Sequence, residues 1–333
     1  MHRNRRKFLH GAVALPLATF ILPRTLWAAM PKYDPADFGT IGAGDDTAAW
    51  QGALNAARSY NSGRGGIVAP DALAYQVGAL DLTGASNVII DAPNGCWLYG
   101  NKQTESSAIL DMTAANNCWV RGLVTSGRNP DATYPAILPK AGILLAETTT
   151  GGDSNKNRLD NVGSGGKFTS AALCVVGSTD NQYYSCSWQQ FHEWAPAINV
   201  STQPDWGIIS RFKTIATNAS NVGDQTFVGC EFHGYRALPP GNYWTSYFRN
   251  ADNARFIGGV HDCSGNAHML FQGNCKRITS IGQKFYSESG LALSYIFEDQ
   301  GSCSDLCVIN PNKTDNAFSV GMKTGPFPSY REL

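Results

Sequence analysis

The sequence predicts an all-β solenoid, a stack of coils built from short strands, with one helix near its N-terminal end. Three features lead there. Charged residues make up 16% of the 333 and glycines number 35, against ~25% charge and ~7% Gly in an ordinary soluble domain. Such a composition makes many turns and few amphipathic helices. Apolar residues fall at helical spacing in one segment alone. Elsewhere, short runs rich in β-branched, aromatic and Cys residues recur, nearly all introduced by Asn or Asp and followed by Gly-containing loops.

The first 28 residues have a composition of their own. Arg3, Arg5, Arg6 and Lys7 precede an apolar run over 8–22, and the small residues Ala28 and Ala29 follow. This is the order of an export signal: basic start, apolar middle, small-residue cleavage site. The stretch Asn4-Arg5-Arg6-Lys7-Phe8-Leu9-His10 resembles the twin-arginine signal, in which paired arginines stand just before Phe-Leu, with Asn4 where Ser or Thr is usual. Pro16 interrupts the run, which is shorter than the ~20 residues a spanning helix needs. Residues 1–28 therefore read as a cleaved address for the twin-arginine export machinery, and 29–333 as one domain delivered to the periplasm or beyond. No segment of that domain is apolar for long enough to span a bilayer.

Removing the address changes the charge. The chain has 26 basic and 26 acidic residues, and five of the basic ones but none of the acidic ones lie in 1–28, so the remainder carries a formal net charge of −5. With no basic stripe after residue 30, nucleic acid is excluded as a partner, and general attraction to a polyanion is disfavoured.

Asp45, Asp46 and Thr47 offer helix-capping chemistry, and Ala49, Trp50, Ala53, Leu54 and Ala57 follow at helical spacing. The predicted helix ends before the Gly-rich loop 61–66. Beyond it the strand-like runs lie at 87–91, 117–124, 157–162, 181–188, 224–232, 253–261, 275–285 and 305–310, starting roughly twenty to forty residues apart, the window of solenoid repeats. Within them Cys186 precedes Trp188, Cys230 precedes Phe232, and Gly259 precedes His261 by two residues. Residues two apart share a side of a strand, so equivalent positions are expected to stack from coil to coil. The nine cysteines lack metal-site spacing and sit in apolar stretches, where Cys serves as a small buried filler.

Residues 37–57 (DFGTIGAGDDTAAWQGALNAA), 63–82 (GRGGIVAPDALAYQVGALDL) and 86–100 (SNVIIDAPNGCWLYG) together resemble the opening of the pectate-lyase superfamily, shared by polygalacturonases, certain epimerases and phage tailspike depolymerases. The resemblance implies a single-stranded right-handed parallel β-helix, an N-terminal cap at about 35–66 whose helix plugs the open end, a polysaccharide substrate lying along a parallel sheet face, and, through the tailspikes, a homotrimer as one form of assembly. The polygalacturonase set of Asn-Thr-Asp, Asp-Asp, Gly-His-Gly and Arg-x-Lys is absent after residue 100 in that arrangement.

Functional groups are densest over 224–290. Aligning Cys230 with Gly259 and Phe232 with His261 places Glu231, Asp262, Lys284 and Glu288 on or beside neighbouring strands, with His233 and Tyr286 near them. Adjacent strands lie ~4.8 Å apart, so carboxylates one or two coils away reach the ~5 to 9.5 Å separations that glycosidases use. Glu231, Asp262 and Glu288 are the expected hydrolase carboxylates. The same neighbourhood suits a lyase or epimerase, with His261, Lys284 or Tyr286 as the base and calcium, held by Asp or Glu, as an optional cation. His192 beside Glu193 is a further acid–base candidate. Trp188, Trp194, Trp206, Tyr235, Tyr243, Trp244, Tyr247 and Tyr286 are the expected aromatic contacts for sugar rings. The expected function is thus an exported polysaccharide-active enzyme, first a glycoside hydrolase and next a lyase or epimerase. A non-catalytic polysaccharide-binding protein is the third reading.

Overall fold

The apolar stripe read at Ala49, Trp50, Ala53, Leu54 and Ala57 is buried on helix α1, Thr47–Ser59, at the N-terminal end of a stack of parallel strands. The structure, a computed structural model, describes residues 30–148, 152–169, 171–189, 208–210, 222–233, 246–262, 267–286, 295–299, 304–309, 312–314, 322–323 and 331–332. Helix α1 packs on strands Lys32–Tyr33, Ile67–Val68 and Leu80–Asp81. Its Trp50 meets Tyr75 edge to face at 5.2 Å. The helix thus supplies the apolar layer that a terminal coil would otherwise lack.

Asp46 holds the N-cap position, but its side chain does not cap the helix. Instead the carboxylate accepts the amides of Gly42 at 2.7 Å and Gln76 at 2.8 Å. Thr47 Oγ1 accepts the Gly78 amide at 2.7 Å, and Asp45 accepts the Thr47 amide at 3.0 Å. The Asp-Asp-Thr motif is therefore a latch between the cap and the first coil. Its paired carboxylates are spent on backbone amides.

From Pro31 onward the strands form a parallel β-helix. Three columns of strands stack in parallel. One contains Arg158–Asp160, Gln182–Tyr184, Thr226–Val228 and Arg255–Ile257. A second contains Ser187–Gln189, Glu231–His233, Val260–Asp262, Lys284–Tyr286 and Asn312–Thr314. The third contains Leu80–Asp81, Ala108–Asp111, Ala141–Ala146 and Ala171–Val176, and continues to Met322–Lys323. Two long strands, Ile89–Tyr99 and Trp119–Gly127, run through the first two columns and join them.

The Asn and Asp residues that introduce the runs have a conformational reason. Asn87, Asn117, Lys156, Asp180, Asp224, Asn253, Arg277 and Asp305 all have φ between 50° and 60°, and each follows a residue in one ladder of bridges from Ser86 through Asn116, Asn155, Thr179, Gly223, Asp252 and Lys276 to Ser304. At this bend a left-handed residue in each coil turns the chain into the next strand, and after Gly it is Asn and Asp that tolerate that region best. Two expected starts, Asn157 and Asn181, fall one residue past this turn, because their side chains face inward. Asn157 Nδ2 donates to Asn181 Oδ1 at 3.1 Å, and Asn157 Oδ1 accepts the Cys118 amide at 3.0 Å. This buried ladder satisfies backbone groups at the bend, as buried polar groups must be satisfied.

The core is a set of aromatic stacks along the coil axis. Tyr183, Phe227 and Phe256 lie face on face at 4.4 and 4.8 Å, and Phe232, His261 and Phe285 at 4.2 and 5.5 Å. Cys96, Cys118, Cys174, Cys186, Cys230 and Cys275 are buried; burial pushes Cys96 and Cys118 up to about 12. The six fill space, as expected, and the raised thiols of Cys96 and Cys118 are poor nucleophiles.

Candidate functional site

The register expected for the central coils holds: Phe232 pairs with His261, and His233 with Asp262. Each strand here is three residues long, so its middle residue points inward and its two ends point outward. That parity builds the site. Glu231 and His233 flank the buried Phe232 on one coil, and Asp262 is the outward end of the next. Their side chains are 52%, 27% and 26% exposed respectively.

The three groups meet. His233 Nε2 lies 3.2 Å from Glu231 Oε2, and His233 Nδ1 lies 3.7 Å from Asp262 Oδ2. The second distance is an ion pair rather than a hydrogen bond. The Asp262 carboxylate, and with it Glu231, raises the imidazole above its ordinary value despite its partial burial. When it carries its second proton, the imidazole between the two carboxylates is a charge-assisted relay, in which either carboxylate can be offered a proton. Because the carboxylates address opposite ring nitrogens, the trio does not converge on one point. Among the described residues no group of three or more His, Cys, Asp or Glu is arranged to hold a metal ion.

The expected base, His261, requires correction. It is fully buried between Phe232 and Phe285, and burial, with His268 nearby, drops it well below its ordinary value. It is part of the core stack and cannot reach a polymer on the surface. Trp188 is corrected for the same reason: it is the inward residue of Ser187–Gln189 and is fully buried, edge-on to Tyr183. Lys284 is half-buried and lies two coils from Glu231, in the same register as Val260. Tyr286 pairs in register with Asp262. Tyr247 lies on Ser246–Arg249. Glu288, His192, Glu193, Trp194, Trp206, Tyr235, Tyr243 and Trp244 lie outside the described residues.

Sequence reading undervalued His233, although it stands two residues from Glu231 and so shares its face. It also passed over Trp97 and Tyr99, which have the same spacing. Their rings are stacked at 5.8 Å and 18° on the outer side of the same column, and Trp97 is 44% exposed.

No protein-family profile matches the chain, and no curated protein sequence matches it. Solved structures do. PfbA, a surface adhesin of Streptococcus pneumoniae, superimposes with a TM-score of 0.53 at 12% identity over 86% of this chain and 79% of its own. ORF18 of Geobacillus virus E2 gives 0.52 at 14% identity, over 93% and 61%. The enzymatically active domain of bacteriophage CBA120 tailspike protein 2 gives 0.50 at 11% identity, over 85% and 42%. These likenesses are likenesses of fold. Among the described residues no helix is long and apolar enough to cross a membrane.

Proposed function

We propose that this chain is an exported, polysaccharide-active enzyme that hydrolyses glycosidic bonds at the outer face formed by Glu231, His233 and Asp262. The observation that carries this reading is the relay itself. Two carboxylates and the imidazole between them share one outward strip of parallel sheet, and the carboxylates raise the imidazole. Neighbours of this fold include both an enzymatically active tailspike domain and an adhesin, so the fold does not choose between catalysis and binding. The side chains favour catalysis.

Glycoside hydrolysis needs a proton for the leaving oxygen and a carboxylate to act on the anomeric carbon or on water. The His233–Asp262 pair supplies the proton, and the more exposed Glu231 serves as base or nucleophile. A raised imidazole keeps its proton to higher pH than an ordinary histidine, which suits an acid better than a base. This disfavours proton abstraction by lyase or epimerase chemistry, which also loses His261. The mature net charge of −5 favours neutral over polyanionic chains. Export by the signal over 1–28 delivers the protein to the periplasm or beyond, where such polymers are met.

Incubation with a panel of neutral and acidic polysaccharides tests the reading. New reducing ends without unsaturated-uronate absorbance are expected. Glu231→Gln and Asp262→Asn should each lower turnover by ~10²–10⁴-fold with unchanged melting temperature, and wild-type turnover should fall as pH rises through the raised value of His233. Absorbance would establish a lyase instead. Binding without product, or unchanged turnover in both variants, would remove the proposed site.

A further inference from the structure

Trp97 and Tyr99 are not part of the relay, yet they occupy the same outer column. The register runs unbroken from Trp97 to Val124, Gly163, Ser187 and Glu231. That is four coil steps, or ~19 Å at ~4.8 Å per step. Every residue between the two ends is small or uncharged: Val124 and Ser187 are half-buried, and Gly163 has no side chain. The strip is therefore a smooth floor with an aromatic group at one end and the relay at the other.

The aromatic end is built to be exposed. Trp97 keeps 44% of its surface in solvent, and Leu73, whose carbonyl accepts the Trp97 amide at 2.8 Å, keeps 65%. Tyr99 braces the indole from one side. A large apolar side chain held out of a well-formed core leaves its burial energy unused, and an exposed, braced indole is a surface on which the apolar face of a pyranose ring stacks. The coil step is close to the length of one sugar unit along an extended chain.

We infer that Trp97, braced by Tyr99, is a distal sugar-binding platform about four sugar units from the Glu231–His233–Asp262 relay, so that the protein engages neutral chains long enough to span both. The inference rests on the proposed polysaccharide reading and extends it by setting a minimum chain length and a line of approach. Charged polymers gain nothing from the uncharged floor.

The test measures binding, so it does not depend on turnover. The Glu231→Gln protein, with and without Trp97→Ala or Trp97→Phe, is titrated calorimetrically with cello-, xylo-, manno- and malto-oligosaccharides of three and six units. With Trp97 present, six-unit chains of one series should bind about tenfold more tightly than three-unit chains, the size of one aromatic stack. Trp97→Ala should abolish that gain, and Trp97→Phe should keep part of it. A gain that persists in Trp97→Ala would overturn the platform and leave the hydrolysis reading standing. Failure of every series to bind would overturn the platform. Reducing-end release by the wild-type protein would then show whether the hydrolysis reading falls with it. Ser187→Arg, which raises a long charged side chain on the floor, should also abolish the gain; an unchanged gain would contradict the line of approach.

Discussion

The inside and outside of one strand column give opposite fates to the same side chain. His233 and His261 stand on neighbouring coils, one strand position out of step. His233 points outward, lies between Glu231 and Asp262, and is raised by them. His261 points inward, is stacked between Phe232 and Phe285, and is lowered by burial. Nothing in the residue type separates them. Strand parity does, because a period of two sends adjacent residues to opposite dielectric surroundings. In a solenoid the consequence repeats at every coil, so one column carries both a core and a surface for chemistry.

The largest expected effect comes from breaking the interior alone. Phe256 is fully buried, stacked on Phe227, and edge-on to Phe232 and Phe248. Phe256→Ala should cost ~3–5 kcal/mol of unfolding free energy, measured by denaturant titration, while what remains folded keeps the pH profile of the wild type. A changed pH profile in the folded fraction would show that inside and outside are not separable.

A smaller effect sharpens the same contrast through pH. Burial holds His268 down to about 3 and His261 well below its ordinary value. Both folded values lie under the unfolded ~6.5, so the stability they permit is complete above that pH and is lost as pH falls from 6.5 toward 3, by up to ~1.4 kcal/mol per pH unit for each histidine. His261→Phe continues the aromatic stack without a titrating group. Melting temperatures between pH 7 and pH 4.5 should fall less steeply in that variant than in wild type. An equal slope would mean that His261 does not titrate against the fold.

Much of this architecture was legible because the repeat imposes strong local demands. Asn87, Asn117, Asp224, Asn253 and Asp305 mark left-handed turns that few other residues tolerate, and Ala49, Trp50, Ala53, Leu54 and Ala57 mark a helix that must bury one face. The turns at Lys156 and Arg277 were hidden, because Lys and Arg carry no preference for the left-handed region that would mark them in the sequence. For the site, the register was legible but its consequence was not drawn. Pairing Phe232 with His261 already implies that both face inward, which disqualifies His261 and promotes His233. Trp188 failed by the same rule, since Phe232 is its partner in register. An indole reads alike in a core and on a sugar-binding surface, so composition misdirected attention from Trp97 to Trp188.

The contrast between the two imidazoles is open to direct measurement. Long-range proton–nitrogen spectra of the imidazole rings, recorded from pH 4.5 to 9 and assigned with His233→Gln and His261→Phe, report each titration separately. The account predicts that His233 titrates above 6.5 and reverts toward that value in Asp262→Asn, while His261 remains neutral across the whole range. A His261 that titrates near 6.5, or a His233 that titrates below it and ignores Asp262→Asn, would contradict the division of this column into a core and a chemical face.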